Sequence, residues 1–258
     1  YFENSRATAP WRSAARYDIA ILHNPGEPDP PSNERALEKF IKAAKKLDMD
    51  AELVEKDDYG TLPQYDALFI RETTSVDHHT YRWSRRAHAE GLVVIDDPDS
   101  IVKCGNKVYL AELMDLHRIR VPKTLIVHKG NQEEVLSEIG LPCILKQPDS
   151  SFSRGVHKAC TEEELHERLE ALLDESDLVI AQEFLPTDYD WRIGVLDGKA
   201  LYSCRYHMAE KHWQIQRRDD KGKTHYGKVD TMPIEDAPDH VVNTALRACK
   251  LIGNGFYG

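Results

Sequence analysis

The chain has 258 residues, 41% of them hydrophobic and 30% charged, with a net charge of −10. That balance belongs to a soluble globular protein of one or two domains, long enough to bury a real core. No apolar run approaches the roughly 20 residues of a membrane span, so no membrane partner is expected. A surface this acidic also argues against general binding to nucleic acid, which needs basic patches. The five cysteines, Cys104, Cys143, Cys160, Cys204 and Cys249, are odd in number, widely spaced and form no CxxC. They fit reduced thiols in a cytoplasm better than disulfides or zinc. The opening "YFENSRATAPW" lacks both Met and the basic and apolar regions of a secretory signal. Residues 1–16 are expected to be a linker or the remainder of an upstream region.

Residues 17–22, "YDIAIL", read as a buried strand, and the Pro-rich "HNPGEPDPPSN" breaks it. Leu37, Phe40, Ile41, Ala44 and Leu47 then recur at helical spacing. "AELVEK" (51–56), "ALFIRE" (67–72) and "LVVIDD" (92–97) are further strands, with a helix over 76–91 between the last two. Strands alternating with helices predict an α/β domain over 17–100, a small sheet covered by helices.

The texture changes over 101–258, which reads as α+β. Leu110, Leu113 and Met114 mark a helix that Pro122 stops, and "TLIV" opens a strand. A short helix over 131–139, the strand "CILKQ", a polar loop and the helix "TEEELHERLEALLDE" follow, with Thr161 and Glu164 matching a capping box. "LVIAQEFL", "DWRIGVLDG" and "KALYSCRY" are strands, the last two joined by a hairpin turn at Asp197–Gly198. Residues 207–235 are polar and rich in His, Lys and Arg, the composition of a solvated loop. Its His207, His212 and His225 match no usual metal-ligand spacing. A final helix over 237–252 ends at Gly253.

The chemistry concentrates around "LKQPDSSFSRGV" (145–156). Strand alternation puts Lys146 on a face with Ile144, away from Cys143 and Leu145. A lysine so placed must reach water or meet an anion. The segment after it supplies backbone N–H groups, the hydroxyls of Ser150, Ser151 and Ser153, and the free dihedral of Gly155, which together can wrap a phosphate. Lys107 begins a helix, where the dipole gives a cation nothing. Gln182 and Glu183 end an apolar strand beside Phe184 and Leu185, polar groups against apolar walls. Arg192 lies on a strand face where a guanidinium wants an anionic partner.

In this order, N-K-x-x-x-x-x-L, strand lysine, small-residue loop, Q-E-F, D-x-R and a hairpin, the chain resembles the ATP-grasp superfamily, most closely the RimK-like carboxylate–amine ligases. The resemblance implies a pre-ATP-grasp α/β domain over 17–100 followed by an ATP-grasp fold over 101–258. Within that fold, residues 123–186 would form a lid-bearing subdomain and residues 187–258 an incomplete C-terminal one. It implies ATP and Mg2+ as cofactors, and small-molecule or peptide carboxylates and amino acids as substrates. It also implies a cytoplasmic enzyme that forms an amide through an acyl phosphate, and relatives of this fold commonly pair into homo-oligomers. Position by position, Lys107 and Lys146 would bind the phosphates, and Ser150, Ser151, Ser153 and Gly155 would cover them. Gln182, Glu183, Phe184 and Leu185 would hold adenine and ribose, with Asp190 near the sugar or the acceptor. Arg192 and Arg205 would face the acyl phosphate.

The family's magnesium ligands, an Asp followed by Glu-x-Asn, have no match before the chain stops at "LIGNGFYG". They are expected beyond Gly258, and no metal ligand is assigned within the chain. The alternatives are a nucleotide-binding module without catalysis, and a flavodoxin-like binding protein, which accounts for residues 17–100 only.

Overall fold

The computed structural model describes residues 15–149, 155–218 and 223–258, and divides the chain into two compact units, 1–102 and 103–258. The first unit contains β1 (Tyr17–Leu22), α1 (Glu34–Lys46), β2 (Met49–Val54), β3 (Ala67–Ile70), α2 (His79–Ala89) and β4 (Val93–Ile95). Its strands form one parallel sheet in the order β2-β1-β3-β4. Alternation along β1 sends Ala20 and Leu22 to a core with Trp83 and Ala87 of α2, and Ile21 to a second core with Leu37 and Ala44 of α1. Both faces are therefore covered, as a parallel sheet requires. Asn33 caps α1 by accepting the Ala36 N–H at 3.0 Å.

The helix α3 (Pro98–Gly105) leads into the second unit: α4 (Lys107–Leu116), β5 (Thr124–Val127), α5 (Glu134–Glu138), β6 (Cys143–Lys146), β7 (Val156–Ala159), α6 (Glu162–Glu175), β8 (Val179–Glu183), β9 (Tyr189–Leu196), β10 (Lys199–His207), β11 (Gln216–Arg218), β12 (Thr224–Tyr226), β13 (Val229–Met232), α7 (Asp239–Ile252) and β14 (Phe256–Tyr257). One antiparallel sheet runs β5-β8-β6-β7, another β13-β10-β9-β14. Cys143, Leu145, Val179 and Ala181 pack under Leu165, Leu169 and Leu172 of α6. Ile193 and Val195 of β9 pack under Val241, Ala245 and Cys249 of α7. Thr161 accepts the Glu164 N–H at 3.2 Å, but the Glu164 carboxylate takes the Cys160 N–H at 2.7 Å, one residue before the position a capping box uses. The turn between β9 and β10 has positive φ at both Asp197 and Gly198, the twist that fits a right-handed hairpin.

Two readings change. The polar loop after β6 is followed by a strand, β7, whose Val156 pairs with Lys146. Residues 207–235 are not one solvated loop: β11 and β12 form a hairpin, and β13 adds to the sheet by pairing with β10. Composition misled there because a sheet edge needs backbone pairing and tolerates polar side chains. No helix among the described residues is long and apolar enough to cross a membrane.

Candidate functional site

Because Cys143 and Leu145 are committed to the α6 core, Lys146 lies on the opposite face of its sheet. Its ammonium donates to Gln182 Oε1 at 2.7 Å, a diagonal contact, since β6 pairs Ile144 with Gln182. The Gln182 amide in turn donates to Thr124 Oγ1 at 2.8 Å, and that hydroxyl donates to the Pro122 carbonyl at 2.7 Å. The chain of bonds fixes the Gln182 oxygen toward the lysine. Thr124 is a site residue that the sequence pattern did not reveal.

Lys107 opens α4 directly after the N-cap Asn106, whose side chain accepts the Tyr109 N–H at 3.0 Å. The Lys107 N–H donates to the Pro148 carbonyl at 2.9 Å, which ties the helix start to the segment following β6. Burial pushes the Lys107 ammonium below the ordinary lysine range, the charge of Lys146 pushes it further, and Asp149 opposes. Burial likewise lowers Lys146. Two half-buried cations near each other create a field that an anion relieves.

The ends of the loop between β6 and β7 are tied, with the Gln147 N–H donating to the Gly155 carbonyl at 3.3 Å. Gly155 has φ +63°, a left-handed conformation that strains a residue with a side chain, and a Cβ there would also displace the Gln147 amide, 2.7 Å away. Ser150, Ser151 and Ser153 lie outside the described residues.

Past Gln182, the Glu183 carboxylate accepts the Lys123 N–H at 2.6 Å, and the Glu183 N–H donates to the Lys123 carbonyl at 2.9 Å. In this structure that carboxylate closes the end of the β5–β8 pair. Phe184 receives the Lys158 ammonium 3.6 Å from its ring centroid and stands edge-on to Trp213 at 6.0 Å. Leu185 is 54% exposed. Neither Lys158 nor Trp213 carried a sequence signal, because each reaches Phe184 only through tertiary packing.

The two arginines part company. β9 and β10 pair Arg192 with Cys204 and Arg205 with Trp191, so the guanidiniums leave opposite faces of one sheet. Arg192 lies over Tyr206 at 5.6 Å on the face shared with Asp190, whose carboxylate accepts from Thr187 Oγ1 at 3.2 Å. Arg205 sits over Tyr189 at 5.3 Å and Trp191 at 5.2 Å, on the face that carries the α7 core. The expectation that both face one acyl phosphate is thereby corrected. The cause is a register shift between Ala200 and Tyr202 that leaves Leu201 without a partner. Without it Arg205 would stand opposite Asp190, on Arg192's face.

No family model matches the sequence. The chain is 29% identical over 171 residues to the alpha-aminoadipate–LysW ligase LysX of Sulfolobus acidocaldarius, covering 64% of this chain and 58% of that protein. It is 27% identical over 175 residues to the glutathione synthetase of Salmonella typhimurium, covering 66% and 49%. The chain thus spans about half to three fifths of the length of these curated relatives. Among solved structures, the D-alanine–D-alanine ligase of Bacillus anthracis matches with a TM-score of 0.67 at 14% identity, covering 92% of this chain and 79% of that one. A RimK domain protein of the ATP-grasp type from Sphaerobacter thermophilus matches at 0.61 and 13%, covering 91% and 97%. The ATP-grasp ligase PsnB with minimal precursor, Mg and ADP matches at 0.60 and 15%, covering 92% and 82%. The fold is that of the ATP-grasp ligases, and the sequence relatives are ligases of that type, as the order of motifs implied.

Proposed function

We propose that this chain of ATP-grasp fold is the nucleotide-binding part of an ATP-dependent carboxylate–amine ligase acting on amino-acid or peptide substrates. The observation that carries the reading is the Lys146–Gln182 pair beside Lys107: two cations of lowered pKa on and next to an antiparallel sheet, one of them aimed by a fixed amide. The lysines would take the triphosphate, with the Gly155 end of the β6–β7 loop alongside. The stretch Gln182–Leu185 would meet the base and sugar. Asp190 and Arg192 would lie toward the acceptor and the acyl phosphate. The names of the relatives support amino-acid or peptide substrates, since LysX joins alpha-aminoadipate to LysW and PsnB was solved with a precursor.

In such a reaction a carboxylate oxygen attacks the γ-phosphorus and the bond to the β-phosphate oxygen breaks, releasing ADP. An amine nitrogen then attacks the acyl carbon, the carbon–oxygen bond to phosphate breaks, and phosphate leaves as the amine gives up a proton. The protein must neutralise a polyanion and keep water from a labile anhydride. Lysines and Arg192 answer the first demand. Mg2+, which PsnB was solved with, takes oxygen ligands, usually one or two carboxylates plus phosphates. Among the described residues of the second unit no three His, Cys, Asp or Glu ligand atoms gather as one group.

The test is calorimetric titration of the purified chain with a non-hydrolysable ATP analogue, followed by ADP and phosphate release across a panel of amino-acid and carboxylate pairs. Analogue binding with ADP release dependent on both substrates supports the reading. Failure to bind the analogue overturns it. Binding without release for any pair favours a nucleotide-binding module.

A further inference from the structure

The parallel sheet of the first unit has a topological switch point. From β1 the chain crosses to β2 on one side and then returns to β3 on the other. Ligands in open α/β sheets bind outside the carboxyl ends of the strands at such a point. Here His23 follows β1 directly, Glu72 lies two residues past β3, and His78 and His79 open α2. The ligand-type atoms of Glu72, His78 and His79 all fall within 4.8 Å of one another.

The Glu72 side chain is 1% exposed, and neither carboxylate oxygen has a hydrogen-bond partner. His79 Nε2 stands 2.7 Å from Glu72 Oε2, yet it too has no hydrogen-bond partner, so the contact is not an aligned N–H···O bond. A buried carboxylate whose close contact is a misaligned imidazole is costly unless something else satisfies it. The second imidazole lies beside the first, tilted by 45° with ring centroids 3.9 Å apart. His78 Nδ1 lies 3.1 Å from the hydroxyl of the fully buried Thr80, the kind of outer contact that orients a ligating imidazole. Nearby Glu27 is held by both the N–H and the hydroxyl of Thr73, and it adds negative charge to the pocket.

We propose that Glu72, His78 and His79 form a binding site for a divalent transition metal of the zinc class. Two imidazoles and one carboxylate suit a borderline ion, whereas Mg2+ and Ca2+ prefer oxygen alone. Three protein ligands leave a fourth position for water or for a small donor molecule. The proposal uses none of the residues on which the nucleotide reading rests.

The experiment uses tag-free protein stripped of metal with a chelator and titrated with Zn2+ alone by calorimetry. One equivalent is expected to bind. Glu72→Gln and His78→Ala should each weaken it at least about tenfold, while His88→Ala, an exposed histidine on α2, should leave it unchanged. Co2+ in place of Zn2+ should give visible d–d bands that His78→Ala abolishes. Circular dichroism checks that each variant is folded, and the half-buried His78 serves if Glu72→Gln is not. Absence of Zn2+ uptake overturns the proposal, as does uptake that Glu72→Gln and His78→Ala leave intact.

Discussion

Lys146 on β6 and Gln182 on β8 are joined across the sheet, the ammonium donating to the amide oxygen at 2.7 Å, and the amide is locked from its far side by Thr124. The lysine therefore has a fixed position before any phosphate arrives. Lys146→Ala should weaken binding of an ATP analogue at least about tenfold, a charge-assisted contact being worth ~1.5–3 kcal/mol. Thr124→Val should cost less, since it only frees the amide. Calorimetry reads both, and equal binding by wild type and Lys146→Ala would remove the lysine from the site.

Lys107 and Lys146 are both shifted below the ordinary lysine range near 10.4. Each binds phosphate only when protonated, so affinity is retained at neutral pH and falls as pH rises through the lowered pKa values. Analogue affinity should therefore begin to drop at a pH below that expected for ordinary lysines. Lys146→Met removes the repulsion on Lys107 and should move the remaining drop to higher pH. A pH series of dissociation constants for the two proteins decides this, and superimposable profiles would show that the two charges are not coupled.

The opposite faces of Arg192 and Arg205 separate their roles. Arg205 Nε is buried without a hydrogen-bond partner, and its guanidinium is stacked on Tyr189 and Trp191. Arg205→Ala should lower stability by about 1–2 kcal/mol through lost cation–π and stem packing while leaving analogue affinity alone. Arg192→Ala should leave the melting temperature nearly unchanged and cut ADP release at least about tenfold. Thermal melts together with an ADP assay give four readings. The same deficit in both variants would contradict the register.

Gly194 faces the ring of Tyr202, and a Cβ there would meet its Cε1 at 2.2 Å. Gly194→Ala should destabilise the second unit by about 1–3 kcal/mol through overpacking. In a Tyr202→Leu background the penalty should shrink, because the two positions share one space. Denaturant melts of the four proteins close the cycle.

Asp96 is carried up to about 6 by burial, with the charge of Arg71 opposing and Asp97 adding. An unfolded aspartate titrates near 3.9. The native state thus holds its proton more tightly, and stability declines as pH rises from about 4 to about 6, staying lower above that. Asp96→Asn should gain about 1–2 kcal/mol at pH 7.5 and nothing at pH 4. Denaturant midpoints at the two pH values check the sign.

Local periodicity was sufficient for much of the fold and for part of the site. Alternation in "CILK" decided that Lys146 leaves the core face, because Cys143 and Leu145 can be buried only together. The helices α1, α6 and α7 and the turn at Asp197–Gly198 follow from apolar spacing, caps and positive φ, all properties of residues within a turn of one another. The strands β7 and β13 were hidden because their short, mixed sequences pair only with partners already in place.

Tertiary structure alone decided which side chains meet. Thr124 lies 58 residues from Gln182, and only the β5–β8 pairing aims its hydroxyl at the amide. Glu72 and the two histidines read as the end of a strand and the start of a helix until the sheet brings their ligand atoms together. Arg205 is the clearest case. The sequence determined that "DWRIGVLDGKALYSCRY" is a hairpin carrying two arginines, but one unpaired residue, Leu201, turned the second onto the far face. In a strand the side-chain period is two, so a shift of one residue reverses the face without changing a single local propensity.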